Sequence, residues 1–353
     1  MSEKSFASGR VELLGNHTDY NNGFVLSCAL KMGVSVSGEK RNDNKIFCQS
    51  RQFPDHCEFD LETIKPNPDG HWSNYLLGVV FELQKRGIEL SGFNCEVDSN
   101  LPIGAGLASS AAFEVATALF LQKCFGFRMP KIEMAKVAQA AEHNYVGVRC
   151  GLLDQISSLF GKPGSVLLID FKTLRTKTIN FDKKYQLVIV HTGVKHALVF
   201  GEYNKRRQSC ERAANILQVS ALRDADLTML KDCKNKLSDV DFRRAKHVIG
   251  ENERVLQGKE MLLKGDYQGF GKLMVRSHES SRDLFENSCP ELDFAVETAM
   301  EFNGCLGARL SGGGFGGATI NLIGRNKFDD FCDYISTKYQ QKFGTVPTIY
   351  EVN

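Results

Sequence analysis

The chain has no cysteine pair spaced Cys-x-x-Cys, and its eleven cysteines run from Cys28 to Cys332 without a metal-like spacing. An odd number with no framework excludes a disulfide scaffold and predicts free thiols in a reducing compartment. No run of about 18 apolar residues occurs, which leaves nothing to span a bilayer as a helix. The opening MSEKSFASGR lacks the apolar core of a signal peptide. A formal net charge of +2 gives no reason to expect nucleic acid or an acidic membrane surface as partner. A Walker A motif is missing, and so are long linkers, low-complexity tracts and internal repeats. These absences leave a cytoplasmic globular protein.

What is present is ordinary in bulk: 353 residues, 42% apolar and 24% charged, enough for two domains or one large one. The first half alternates in the manner of half-buried strands, in GFVLSCAL, KMGVSVSGEK and KIFCQS. SNYLLGVVFELQKRG, residues 73–87, has helical spacing and a glycine stop. Helices are predicted again over 111–126 and 134–145, with strands in GSVLLIDF and YQLVIVHTG. Beyond residue 200 the pattern turns mostly helical, then closes with a strand, a helix and a final strand. The reading is an α+β chain with a boundary near residue 185, separating 1–185 from 186–353.

LPIGAGLASSAAFEVA, residues 101–116, sets glycines directly before a helix start. First-turn N–H groups lack intrahelical partners and the helix dipole favours negative charge there, so such a turn is a ready anion site. Ser109 and Ser110 add hydroxyls for phosphate or a divalent ion. A tight turn with small residues for packing explains the same letters, and both readings stand at this point. A second cluster, LSGGGFGGATINLIG, formally contains Gly-x-Gly-x-x-Gly, but a strand follows it where a dinucleotide fingerprint requires a helix. It reads as a loop packed near the first glycine loop, or as a plain hairpin turn.

Two polar clusters complete the inventory. GRVELLGNHTDYNNG, residues 9–23, gathers Arg10, Asn16, His17, Asp19 and Tyr20, either as a solvated turn or as the lining of a polar pocket. AEHNYVGVRCGLLDQISSLFG, residues 141–161, places Glu142 on a helix and Asp154 among Leu152, Leu153 and Ile156. An acid in that setting is either salt-bridged or functional.

Taken together and in order, these segments resemble the GHMP small-molecule kinases, and within them the galactose-phosphorylating branch. GRVELLGNHTDYNNG resembles that branch's signature GRVNLIGEHTDYNGG, and LPIGAGLASSAA resembles the phosphate loop P-x-G-x-G-L-x-S-S-A-A. HWSNYLLGVV, CGLLDQISSLFG, GEYNKRRQSCE, SHESSRDLFENSCPELD and GARLSGGGFGGA complete the likeness. The resemblance implies a two-domain fold, with an N-terminal ribosomal-protein-S5-type α/β domain and a C-terminal ferredoxin-like domain, and an active site between them. It implies transfer of the ATP γ-phosphoryl group to a sugar's anomeric hydroxyl with Mg²⁺. Carried over by position, Asp154 is the base and Arg10 stabilises charge beside it. Ser110 and Glu142 hold Mg²⁺, while Gly104, Ala105, Gly106, Leu107, Ala108, Ser109 and Ser110 wrap the phosphates. Trp72 lies near the adenine, and Asn16, His17, Asp19 and Tyr203 hold the sugar. The protein is expected to be a monomer whose partners are sugar and ATP.

Two departures bear on function. Asn16 stands where the family has a glutamate near the sugar's C6 hydroxyl, so galacturonate, L-arabinose or fucose are alternatives to galactose. Ala108 replaces the first of three serines. A sugar- and ATP-binding regulator is a further alternative, but Arg10, Ser110, Glu142 and Asp154 are all present and favour an enzyme. A mevalonate- or homoserine-type acceptor calls for a more apolar or cationic pocket than His17-Thr18-Asp19-Tyr20 with Glu202 and Tyr203.

Overall fold

The structure is a computed structural model that describes residues 2–67, 70–102, 104–195 and 199–352. By packing, the chain divides into two compact units that interleave along the sequence. The first comprises Met1–Arg10, Leu30–Ile103 and Leu107–Gly161; the second comprises Val11–Ala29, Gly104–Gly106 and Lys162–Asn353.

The strands β1 (Glu3–Leu14) and β2 (Phe24–Lys40) each run through parts of both. In the first unit, the later half of β2 pairs antiparallel with β5 (Phe93–Ser99). β5 pairs parallel with β3 (Lys45–Ser50), which pairs antiparallel with β4 (His56–Asp60). Four helices pack on one another beside this ladder: α1 (Ser73–Lys85), α2 (Ser109–Phe125), α3 (Lys131–Ala141) and α4 (Leu153–Phe160). The buried run Ala111, Ala112, Val115, Ala116 and Ala118 of α2 combines high helix propensity with side chains small enough for close neighbours. Ser5 Oγ donates to Ala116 O at 2.7 Å and Ser158 Oγ to Ser8 O at 2.8 Å, tying α2 and α4 to β1.

In the second unit, the early half of β2 pairs with β6 (Ser165–Asp170) and β6 with β7 (Arg175–Asn180), all antiparallel. A separate antiparallel sheet of order β11-β8-β10-β9 follows. It comprises β8 (Tyr185–Lys195), β9 (Cys305–Ser311), β10 (Gly316–Gly324) and β11 (Thr348–Glu351). Its helices are α5 (Val199–Ile216), α6 (Leu227–Asp232), α7 (Asp239–Lys264), α8 (Tyr267–Ser280), α9 (Pro290–Glu301) and α10 (Phe328–Phe343). Val188, Val190, Ile323, Phe331 and Ile335 form one buried cluster; Ala213, Leu222, Ala245, Val248 and Phe285 form another. The first sheet's last strand ends at Asn180 and the second sheet's first begins at Tyr185, whereas packing groups the chain from Lys162 onward with the second unit. Sheet membership and compactness therefore draw different lines.

The segment over 9–14, which the polar letters present as a turn, is the end of β1; the turn starts at Gly15. The helical pattern over 134–145 is α3 followed by a π turn, Glu142–Val146, and α8 likewise runs into a π turn at Ser281–Phe285. Such turns shift the side-chain register at the places where functional groups cluster.

α8 meets β9 backbone to backbone. A Cβ on Gly271 would lie 2.0 Å from Leu306 O, and one on Gly307 would lie 2.3 Å from Gly271 O. Neither carbonyl can yield as a side-chain tip would. Gly271→Ala and Gly307→Ala are each expected to destabilise the protein by about 2–3 kcal/mol through overpacking, read as a lower urea midpoint at unchanged slope.

Candidate active site

In the first unit, Arg10 Nε and Nη2 lie 2.8 and 2.6 Å from Asp154, both on Oδ1. Oδ2 is held by neither nitrogen. Asp154 sits in the first turn of α4, where the helix dipole favours a carboxylate. The Arg10 N–H donates to Leu107 O at 3.0 Å, so the phosphate-loop candidate is pinned to β1 next to this pair. That approach needs Gly9: a Cβ there would lie 2.7 Å from Leu107 O.

Glu142 lies one helix packing away, buried on its π turn. Ser110 Oγ donates to its Oε1 at 3.3 Å, while Cys150 Sγ and Gln155 Nε2 reach Oε2 at 3.0 Å each. One turn beyond Ser110, Glu114 is fully buried; Gln155 Nε2 reaches its Oε2 at 3.5 Å and its Oε1 has no partner. Burial, followed by the neighbouring acids, pushes both carboxyls above the ordinary range, Glu114 far above it. Sequence reasoning passed over Glu114, Gln155 and Cys150. A lone acid inside the apolar helix SSAAFEVATALF is the signal that could have found Glu114.

The loop before α2 takes left-handed backbone angles at Gly104 (φ 74°), Gly106 (φ 71°) and Ala108 (φ 61°). A Cβ on Gly106 would meet nothing within 4 Å, so its angle rather than its bulk requires glycine. Ala108 is the N-cap of α2 and supplies no side-chain cap. The first-turn N–H groups of Ser109, Ser110 and Ala111 therefore point out of a helix end with no intrahelical acceptor. Trp72 precedes α1, its ring parallel to Phe53 at 6.2 Å and tilted toward Phe113 at 6.2 Å. Its indole Nε1 is buried without a partner among the described residues.

The second unit gathers the remaining candidates. His17 stacks near Tyr203 (5.1 Å) and Phe285 (4.6 Å), and Tyr203 lies 5.6 Å from Tyr20. His17 Nδ1 is 2.9 Å from Tyr20 Oη and Nε2 is 3.1 Å from Gly313 O. Burial drives its pKa down to about 3. The neutral ring then carries its proton on Nε2, donating to the carbonyl, and accepts the tyrosine hydroxyl at Nδ1. Asn16 is fully buried, and its side chain is hydrogen-bonded to Glu12, Gly312, Ser281 and Asn287. Asp19 opens a short 3-10 turn and, like Tyr203, is half-buried. The second glycine cluster is the β9–β10 hairpin, and a Cβ on its Gly312 would lie 3.5 Å from Gly106 O. The expected proximity of the two glycine loops is thus present.

Family comparisons agree with this constellation. The GHMP kinases N terminal domain matches residues 74–162, the galactokinase galactose-binding signature residues 4–40, and the GHMP kinases C terminal domain residues 259–340. A galactokinase of Thermotoga neapolitana is 41% identical over 350 residues, 98% of this chain and 96% of that one. One from Mannheimia succiniciproducens is 39% identical over 351 residues, 98% of this chain and 91% of that one. The chain belongs to the galactokinase family of GHMP kinases. The crystal structure of Lactococcus lactis galactokinase with galactose superposes with a TM-score of 0.96 at 30% identity, covering 100% of this chain and 93% of that one. Methanococcus jannaschii mevalonate kinase, at 21% identity and a TM-score of 0.66, shares the fold, covering 99% of this chain and 97% of that one. The fold is the α+β, two-domain GHMP kinase fold.

Among the described residues no three His, Cys, Asp or Glu side chains are set to hold a metal ion by themselves. One serine hydroxyl facing one carboxylate does suit Mg²⁺, which keeps waters and takes phosphate oxygens for the rest of its shell. The raised Glu142 carboxyl fits the same view, since a cation beside it reverses the cost of its charge.

His247, also fully buried, is lowered to about 4 by burial. His17 and His247 both bind protons in the unfolded chain near pH 6.5 but not in the folded one until about pH 3–4. Their contribution to stability is complete above pH 6.5 and is lost as pH falls through that window. Denaturant unfolding between pH 6.5 and 4.5 should therefore lose up to about 1.4 kcal/mol per pH unit for each histidine. Over the same range the raised Glu114 and Glu142 carboxyls take up protons in the folded state and oppose that loss, so the test is a difference: His247→Gln should retain up to about 1.4 kcal/mol per pH unit that the unaltered protein loses.

Proposed function

We propose that the protein phosphorylates the anomeric C1 hydroxyl of galactose at the expense of ATP, giving galactose 1-phosphate. The observation that carries this reading is the Arg10–Asp154 pair: a half-buried carboxylate at a helix N-terminus, with both Arg10 nitrogens on its Oδ1. Asp154 Oδ2 would accept the C1 hydroxyl proton as the oxygen attacks the γ-phosphorus, and Arg10 would keep the carboxylate oriented and offset charge developing beside it. Phosphoryl transfer gains mainly from positioning and charge neutralisation, so no covalent intermediate on the protein is required.

Gly104, Ala105, Gly106, Leu107, Ala108, Ser109 and Ser110 would receive the phosphates, with the first-turn N–H groups of α2 aimed at them. Trp72, with its unpartnered indole N–H and the Phe53 and Phe113 rings nearby, suits an adenine. Mg²⁺ would be held by Ser110 and Glu142 and would neutralise phosphate charge. Asp19 and Tyr203 keep exposed surface for sugar hydroxyls, while both nitrogens of His17 are committed to holding Tyr20 and the Gly313 turn. The family's domain halves would divide near residue 185, where sheet membership changes. The protein would act in the cytoplasm as a monomer on two small molecules, without nucleic acid or membrane. No helix among the described residues is long and apolar enough to cross a bilayer.

ADP release with ATP and Mg²⁺ against galactose, galacturonate, L-arabinose, fucose, N-acetylgalactosamine and glucose tests the assignment. Galactose should be turned over, and Asp154→Ala should lower kcat by roughly 10³-fold with ATP binding retained. Turnover of another sugar in preference to galactose would refute the substrate; nucleotide binding with no turnover on any sugar would favour a regulator.

The raised Glu142 carboxyl gives Mg²⁺ dependence its own pH signature. Protons compete with the cation, so calorimetric affinity for Mg²⁺ with a non-hydrolysable ATP analogue should weaken as the medium is made more acid. Glu142→Gln should bind more weakly and lose most of that pH dependence. An unchanged pH profile in the variant would remove Glu142 from the metal site.

A further inference from the structure

Asn16 has two N–H donors and an oxygen with two lone pairs, and protein groups use all four. Nδ2 donates to Glu12 Oε1 at 3.0 Å and to Gly312 O at 2.7 Å. Oδ1 accepts from Asn287 Nδ2 at 2.8 Å and from Ser281 Oγ at 3.3 Å. The side chain is 0% exposed. A flipped amide would set its oxygen against a carboxylate and a carbonyl, so the partners fix the orientation.

The oxygen of Glu12 that accepts from Asn16 also lies 3.0 Å from Arg309 Nη1. Arg309 is fully buried on β9, and none of its guanidinium N–H groups is aligned in a hydrogen bond. Its charge is offset by proximity alone, from Glu12 and from Glu251. Burial would raise the Glu251 carboxyl, but Arg254 and Arg309 bring it well below the ordinary range. Glu251 in turn receives the Gly15 and Asn16 N–H groups at 2.9 and 3.3 Å, which holds the turn carrying Asn16 and His17. Two carboxylates and two guanidiniums balance here, and the balance admits neither one acid more nor one fewer.

The family signature GRVNLIGEHTDYNGG has asparagine at the fourth position and glutamate at the eighth. This chain has Glu12 and Asn16 at those places. The two departures are one exchange, across a side-chain contact of 3.0 Å. We infer that Glu12 and Asn16 are a compensated pair: Glu12 supplies the charge Arg309 requires, and Asn16 clamps the Gly312–Gly313 turn. On this inference, which rests on the proposed sugar-kinase activity, Asn16 is a positioning residue that reads no sugar atom. It acts through Gly313, whose carbonyl meets His17 Nε2 at 3.1 Å and Asn287 Nδ2 at 3.1 Å, and whose Cα faces the Tyr203 ring. The change at position 16 therefore does not redirect the enzyme from galactose to a C6-altered sugar.

The test is a cycle of isosteric variants: Asn16→Asp, Glu12→Gln and the two combined. Each is read by melting temperature, by KM for galactose and for ATP, and by the sugar panel. Each single change should lower the melting temperature and raise the galactose KM on the order of tenfold, leaving the ATP KM within about twofold. The combined variant should recover most of both losses with the same sugar preference. The literal exchange, Glu12→Asn with Asn16→Glu, is made alongside. If the single variants do not fold, folded and galactose-active exchange variants uphold the pair, and unfolded ones overturn it. Additive effects overturn it too, as does an Asn16→Asp protein of unchanged stability that shifts its preference among sugars. Failure of the unaltered protein to turn over galactose would instead refute the proposed substrate, while the melting temperatures of the cycle still decide the pairing.

Discussion

Removing a carboxylate from water costs several kcal/mol unless another charge or a set of donors replaces the solvent, and the two units meet that constraint in opposite ways. In the second unit the buried acids Glu12 and Glu251 have guanidinium partners from the same unit, Arg309 and Arg254. In the first unit the buried Glu82 has one from Arg86 and the half-buried Asp154 one from Arg10. Glu142 and Glu114 are left with neutral donors and one another, and burial moves both carboxyls upward. A fold that keeps acids in this condition is poorer for it unless something positive arrives. The second unit's charges serve architecture, whereas Glu142 and Glu114 have no guanidinium or ammonium partner among the described residues.

The glycines follow from a related demand, that of backbone against backbone. Gly271 and Gly307 let α8 rest on β9, and Gly9 lets the glycine loop before α2 lie against β1. Gly104 and Gly106 are instead selected for angle, since Gly106 has open space where a Cβ would go. Ala108 adopts the same left-handed region with a side chain, a strain of order 1 kcal/mol. That angle sets the loop's direction into α2 and so where the first-turn N–H groups aim.

Much of this was legible in the sequence. The α1, α2 and α3 helices carried their own stops and spacing, and the strand after LSGGGFGG excluded a dinucleotide fold, as β10 bears out. Asp154 among leucines signalled an acid that is either salt-bridged or functional, and Arg10 lies against it. Letters that serve turns as readily as strands were harder: β1 ends in GRVELL, where Arg10 and Glu12 look solvated until their partners, Asp154 and Arg309, arrive from 144 and about 300 residues away. Short polar strands such as β4 and β7 have too little alternation to announce themselves. Glu114 was hidden because one acid in a helix usually faces water, and only packing on every side of α2 denies it that.

Asn16 shows why a residue's chemistry cannot be assigned from its alignment column alone. Seen singly, an amide in place of an acid beside a sugar pocket is a change of specificity, because it alters charge where a substrate could carry one. Seen with Glu12, it alters nothing in the local charge: one negative group remains within reach of Arg309, moved by one i, i+4 step. The energy scale favours the second view. A single hydrogen bond to a sugar hydroxyl contributes about 1 kcal/mol net, whereas leaving a buried guanidinium without its carboxylate costs about 3–5 kcal/mol. Where the two requirements compete for one side chain, the buried charge decides.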